Sequence, residues 1–272
     1  VSRYQVMVEV SLLLQSKKID SFIIGATARD LLAKHYGITP SERKTEDVDF
    51  AVLLQNWNVL EELRAFLLLN KSISPSSDPN NKIRYYFKGT PFDLVPFGGV
   101  ANQHVVSWPP HHDTAMLVLG YNEAMENALE IMIGGHKVKT LSLEFFVGLK
   151  LLAWGYNGAR DRDIKDVGYI LKNYENFNPG AYEYLLDQHL DLLDPIDSDP
   201  ALAAIVTLGI FLGSKIPTEG KNRILQTLEK QKSKIISELT YDIFIDEDSR
   251  KNTIDVIDGQ INALALGLRS AP

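Results

Sequence analysis

The stretch Phe22-Ile23-Ile24-Gly25-Ala26-Thr27-Ala28-Arg29-Asp30, answered by Thr45-Glu46-Asp47-Val48-Asp49-Phe50, decides the fold. The first segment reads as a short apolar strand, a glycine turn and a helix start. The second reads as a strand carrying two carboxylates one residue apart. Side chains alternate along a strand, so Asp47 and Asp49 share one face while Val48 and Phe50 face a core. Neighbouring carboxylates repel, and a strand tolerates them when both are solvated or when a divalent cation lies between them. A glycine turn opening a helix brings backbone N–H groups together in a way that suits a phosphate. A phosphate cradle beside a carboxylate pair points to metal-dependent chemistry on a nucleotide.

Around this centre, hydrophobic periodicity predicts helices over residues 3–16, 27–36 and 57–69 and a strand over 47–54. Residues 70–81, rich in Ser, Pro, Asn and Asp, read as a loop. Two strands follow at 83–87 and 92–97, joined by Lys88-Gly89-Thr90-Pro91, a hairpin signal. A long loop is expected over 98–112, then a short helix at 121–128 and strands at 129–133 and 136–139 around Gly134-Gly135. Helices are expected at 143–156 and 161–172, and the pattern beyond 178 is helical to the end. The expected fold class is α+β. A small mixed-sheet α/β domain over residues 1–140 is followed by a helical domain over 141–272 that completes the active-site cleft.

Bulk properties narrow the function classes. The 272 residues include no cysteine, which excludes disulfides, thiol catalysis and cysteine-ligated metal sites. No apolar run approaches the roughly 18 residues of a membrane span, and no basic region precedes a long apolar block at the N-terminus. A cytoplasmic protein without membrane partners is expected. The net charge of −7 disfavours non-specific nucleic-acid binding unless basic residues cluster. Arg29, Arg43, Lys44, Lys150, Arg160 and Arg162 are the residues able to form such a patch for an RNA acceptor.

Asp93 stands in an apolar strand between Phe92 and Leu94. Two readings are open to it: an acid paired with a basic neighbour such as Arg84, or the third carboxylate of an oxygen cage with Asp47 and Asp49 around one or two Mg²⁺ ions. Lys150 sits in a helix apolar on nearly every side, Phe145 to Trp154, where it either snorkels to water or reaches a triphosphate. The run Arg160-Asp161-Arg162-Asp163-Ile164-Lys165-Asp166 is a solvated helix start, or its Asp163 and Asp166, sharing a face, orient Lys150 or Arg29. Arg29 is read as a surface partner of Asp30 or as a phosphate ligand. His111-His112-Asp113 reads as loop surface, and the acids at 194, 197 and 199 as a Pro-containing turn lacking the glycine and closing glutamate of an EF-hand. There is no G-x-x-x-x-G-K-[ST] loop and no G-x-S-x-G elbow.

Taken together these residues resemble the nucleotidyltransferase superfamily that includes the DNA polymerase beta palm, and more closely the AbiEii-type abortive-infection toxins and related predicted bacterial nucleotidyltransferases. The R-x-T-x-D-[VI]-D motif of those proteins is matched by Arg43-Lys44-Thr45-Glu46-Asp47-Val48-Asp49. Their K-L-x-A helix is matched by Lys150-Leu151-Leu152-Ala153, and their R-D-x-x-D-[LV] helix by Arg162-Asp163-Ile164-Lys165-Asp166-Val167. The resemblance covers residues 20–172. It implies that Asp47, Asp49 and Asp93 hold Mg²⁺ or Mn²⁺, that Gly25 and Ala26 line the phosphates, and that Lys150 contacts the triphosphate with support from Asp163 and Asp166. It implies transfer of a nucleoside monophosphate from a nucleoside triphosphate to a hydroxyl of RNA (tRNA included), protein or a small molecule, and an antitoxin partner if the chain is a toxin. Ala26 departs from the Gly or Ser usual there; its N–H remains available, and the Thr27 hydroxyl is expected to replace the lost serine contact. The alternative reading is a non-catalytic nucleotide- or partner-binding protein on the same fold.

Overall fold

The computed structural model describes residues 1–41, 45–78, 81–109, 115–158, 160–241 and 247–272. Arg43, Lys44 and the His111-His112-Asp113 run lie outside them. The chain falls into two compact units, Val1–Ser142 and Leu143–Pro272.

In the first unit α1 (Arg3–Ser16) leads into β1 (Ser21–Ile24), and α2 (Gly25–His35) starts at the very next residue. The carboxylate strand is β2 (Val48–Leu54), followed by α3 (Trp57–Leu68), β3 (Ile73–Pro75), β4 (Arg84–Phe87) and β5 (Thr90–Gly98). Then come β6 (Ala101–Asn102), β7 (Val105–Ser107), β8 (Ala115–Leu117), α4 (Tyr121–Glu126), β9 (Leu129–Ile133) and β10 (His136–Thr140). Seven strands form one mixed sheet in the order β3-β4-β5-β2-β1-β10-β9, and β6-β7-β8 form a second, small sheet. The central pairs β2–β5 and β1–β10 are parallel, and the other pairs of the large sheet are antiparallel.

The pleat separates core from chemistry. Val48, Phe50, Val52 and Leu54 alternate along β2 and are fully buried. The Phe50 ring meets Phe92 of β5 edge-on at 6.4 Å, and Phe22 of β1 meets Phe97 at 5.9 Å. Such aromatic pairs hold the register of the central strands. With that face committed to the core, the other face of the same strands carries the acids.

Two parts of the first unit differ from the sequence expectation. Residues 70–81 contain β3, and residues 98–112 contain β6 and β7. These strands are two or three residues long, too short to show a period of two, and β3 ends on Pro75, as an edge strand tolerates. The β4–β5 connection is a two-residue turn, with Lys88 at φ 47° and Gly89 at φ 84°, rather than the four residues 88–91. Thr90 and Pro91 therefore belong to β5.

The second unit is helical. It comprises α5 (Leu143–Tyr156), α6 (Asp161–Phe177), α7 (Ala181–Gln188), α8 (Pro200–Gly213), α9 (Thr218–Lys230), α10 (Lys232–Thr240) and α11 (Glu247–Ser270). The all-round apolar helix α5 buries Phe145, Phe146, Leu151 and Trp154 almost completely, and α8 is likewise the apolar centre against which α11 packs. The acids between α7 and α8 form a turn: Asp197 adopts φ 51°, and Asp199 caps α8, accepting the N–H groups of Ala201 and Leu202 at 2.8 and 3.1 Å. Among the described residues no helix is long and apolar enough to cross a membrane.

Candidate active site

Strand register assembles the site. In the parallel β2–β5 pair Asp49 stands directly opposite Asp93; on one side Asp49 faces Ile24 of β1, and on the other Asp93 faces Arg84 of β4. Residues opposite one another share a sheet face, so Arg84, Asp93 and Asp49 form one row across three strands. Asp47, two residues before Asp49 and just ahead of β2, joins them. Carboxylate oxygens of Asp47, Asp49 and Asp93 lie within 4.8 Å of one another.

Asp47 and Asp93 are held in place by hydrogen bonds. The Asp47 carboxylate accepts the Thr45 hydroxyl on Oδ1 at 2.6 Å and Arg84 Nη2 on Oδ2 at 2.7 Å. Its backbone carbonyl accepts the buried Thr27 hydroxyl at 2.7 Å, which ties the start of β2 to the first turn of α2. The Asp93 carboxylate is clamped by Arg84, Nε to Oδ1 at 2.7 Å and Nη2 to Oδ2 at 2.8 Å. Both readings of Asp93 thus hold at once: it is the third acid of the cluster, and it is the partner of Arg84. The hydrogen bond with Asp93, opposed by partial burial and reinforced by the charges of Asp93 and Asp47, raises the guanidinium pKa above its already high ordinary value. Arg84 is therefore charged at any working pH.

Gly25 bounds the cluster on the β1 side. Its φ of +70° is the left-handed region, and a Cβ placed on it would lie 2.1 Å from Asp49 Oδ2. Glycine is needed there both for the backbone and for the carboxylate's room. Ile24 at the cap position of α2 offers no side-chain acceptor, and the first helical turn carries no acid, so its N–H groups suit an anion. Gly25→Ala is expected to cost about 1–2 kcal/mol in backbone strain alone. By displacing Asp49 it should also lower turnover by about 100-fold or more. A thermal melt and a transfer assay on the same preparation check both; native-like turnover would exclude the close packing of Gly25 on Asp49 as a requirement.

The remaining sequence candidates lie elsewhere. Thr27 spends its hydroxyl proton on Asp47. Arg29 is fully buried, with Nε and Nη2 on Asp30 Oδ1 at 2.9 and 2.6 Å, while Arg3 of α1 reaches the other oxygen of Asp30 at 3.5 Å. A guanidinium so placed holds Asp30, which in turn meets Arg3 of α1, and is shut off from solvent. In the second unit Lys150 Nζ of α5 donates to Asp163 at 2.5 Å and pairs with Asp166 at 3.0 Å, both on α6. The side chains of Asp163 and Asp166 are only 4% and 1% exposed. Arg160 also reaches Asp163, at 2.5 Å. Lys150 is thus oriented by the two acids of the charge run rather than snorkelling alone.

The strand–glycine–helix junction set against a D-x-D strand and a third acidic strand is the arrangement expected from the resemblance to nucleotidyltransferases, and the family match makes the protein one. The family model described as nucleotidyl transferase AbiEii toxin, Type IV toxin–antitoxin system, matches residues 12–247, and the chain belongs to that family. Similar solved structures include an antigenic nucleotidyltransferase-like protein from Paracoccidioides brasiliensis, at 22% identity over 74% of this chain and 92% of that one, with a TM-score of 0.45. The antibiotic-resistance factor ANT(2'')-Ia is similar at 14% identity over 70% of this chain and 94% of its own, with a TM-score of 0.37. No match was found among curated proteins.

The acid cluster fits a divalent cation. Octahedral Mg²⁺ at 2.0–2.1 Å sets its oxygen ligands about 2.9 Å apart when adjacent and about 4.2 Å apart when opposite. Three carboxylate oxygens within 4.8 Å of one another approach that span before any cation draws them in. An all-oxygen, all-carboxylate donor set is also the chemistry that hard cations prefer.

Proposed function

We propose that the protein transfers a nucleoside monophosphate from a nucleoside triphosphate to an acceptor hydroxyl, with Mg²⁺ or Mn²⁺ held by Asp47, Asp49 and Asp93. The observation that carries this reading is the convergence of the three carboxylates beside Gly25, where the acid cluster and the N-terminus of α2 adjoin. In the reaction the acceptor oxygen forms a bond to the α-phosphorus, the bond from that phosphorus to the oxygen bridging to the β-phosphate breaks, and pyrophosphate leaves. The hydroxyl proton passes to the carboxylate cluster. When bound, the cation offsets negative charge on the phosphates and lowers the barrier to attack. The backbone N–H groups of Gly25 and Ala26 donate to phosphate oxygens. Thr27 fixes the height of Asp47 above them, and Arg29 keeps α2 in place from behind.

Within the helical unit Asp163 and Asp166 hold the ammonium of Lys150, the cation that the family resemblance assigns to the triphosphate. The family further supports a toxin with a cognate antitoxin, and the acceptor in this reading is a hydroxyl of RNA (tRNA included), protein or a small molecule. The test is transfer of label from each of the four α-³²P nucleoside triphosphates into total RNA and protein of a host lysate, with and without Mg²⁺. Metal-dependent labelling from one preferred nucleotide, together with growth arrest on expression that Asp47→Ala relieves, is expected. Absence of label from all four would overturn the transferase reading of this chain.

A further inference from the structure

Arg84 is the cation already present among the acids. All four carboxylate oxygens of Asp47 and Asp93 accept a hydrogen bond, three from Arg84 and one from Thr45. The carboxylates that Arg84 engages are those of the acid cluster, so the guanidinium and a divalent cation compete for the same negative charge. Arg84 is also open to solvent on one side. Its side chain is 30% exposed, it projects from β4 near the sheet edge, and it has a long flexible stem. Arg29, by contrast, is fully buried and fixed in its ion pair.

We propose that Arg84 is an exchangeable counter-ion of the carboxylate cluster, which a divalent cation must displace from Asp47 and Asp93 to bind. This rests on the three acids being the metal site. In this arrangement the guanidinium neutralises part of the mutual repulsion of Asp47, Asp49 and Asp93 and keeps the row of side chains assembled until the cation arrives. Displacing it opposes metal binding, so the native protein holds the cation alone weakly.

The experiment is Mn²⁺ binding measured by electron paramagnetic resonance on the full chain, without nucleotide, comparing the native protein with Arg84→Met. The variant is expected to bind Mn²⁺ at least tenfold more tightly, and its melting temperature to rise more on adding Mn²⁺ than that of the native protein. Equal or weaker binding by Arg84→Met would overturn the counter-ion role while leaving the metal site intact. Mn²⁺ binding by neither protein would overturn the metal site itself, and the inference with it. Should Arg84→Met fail to fold, Arg84→Lys carries the same test. An ammonium cannot fork across both carboxylates, so several-fold tighter Mn²⁺ binding supports the exchange and native affinity overturns it.

Discussion

Asp49→Asn is expected to lower kcat/KM for nucleotidyl transfer by about 1,000-fold or more while leaving the fold intact. Asparagine keeps the shape of the side chain against Gly25, removes the charge and exchanges one acceptor oxygen for an NH₂ donor. A metal carboxylate contributes several kcal/mol to transition-state stabilisation, and about 4 kcal/mol corresponds to a 1,000-fold change in rate. The stability effect has the opposite sign. Asp49 stands opposite Asp93 in the β2–β5 pair, and like charges directly opposite destabilise a sheet. Removing one of three neighbouring negative charges relieves part of that repulsion, and the melting temperature should stay close to the native value. Transfer kinetics and a thermal melt on one preparation separate the two outcomes. Turnover within tenfold of native would sink the assignment of Asp49 to the metal site, whereas a lost melt would make the activity result uninformative about chemistry and implicate packing. Asp47 is a second probe whose loss of charge also disturbs Arg84, which bridges it to Asp93.

How far the site was legible in the sequence depended on the range of the contacts involved. Asp47 and Asp49 are two residues apart, so the pleat alone puts them on one face. Gly25 is marked by the switch from an apolar strand to a helix. Asp93 required knowing which strand lies beside β2, and its isolation in an apolar strand flagged it without choosing its partner. Arg84 was visible only as the alternative to a metal at Asp93, and the turn explains why its wider role was missed. A four-residue connection at 88–91 pairs Phe87 with Phe92 and moves Arg84 away from Asp93. The two-residue Lys88-Gly89 turn pairs Phe87 with Thr90 and places Arg84 opposite Asp93. A two-residue shift in one hairpin thus decides whether the cluster contains a guanidinium. The Lys88-Gly89 dipeptide, with glycine at a position needing positive φ, is the signal that could have found it. Thr27 was singled out for its hydroxyl, but its bond to the Asp47 carbonyl joins segments twenty residues apart and has no local signature. The small β6-β7-β8 sheet likewise depends on pairing of strands too short to show a pattern.

Lys150→Met should produce the largest loss of stability together with loss of activity, and the two can be separated. The substitution strips an ammonium from two carboxylates that are almost wholly buried, Asp163 and Asp166. Removing one partner of a buried ion pair costs about 3–5 kcal/mol, because the remaining charge stays out of water. At about 2–4 °C per kcal/mol, the melting temperature should fall by roughly 10 °C. Arg160 still reaches Asp163 after the change, so the greater strain falls on Asp166. Adding Asp166→Asn removes the charge that Lys150 balanced, and the double variant is expected to recover at least half of the lost stability, a non-additivity typical of groups in one network. Activity should behave otherwise. If the ammonium contacts the triphosphate, removing it costs about 100- to 1,000-fold in kcat, as for other groups that stabilise developing charge, and no neutral neighbour restores it. A stable but inactive double variant would therefore place Lys150 in the chemistry. Recovery of turnover alongside the melting temperature would instead make the Lys150–Asp163–Asp166 network a structural strut between α5 and α6, and would leave the acids of the first unit to act without it.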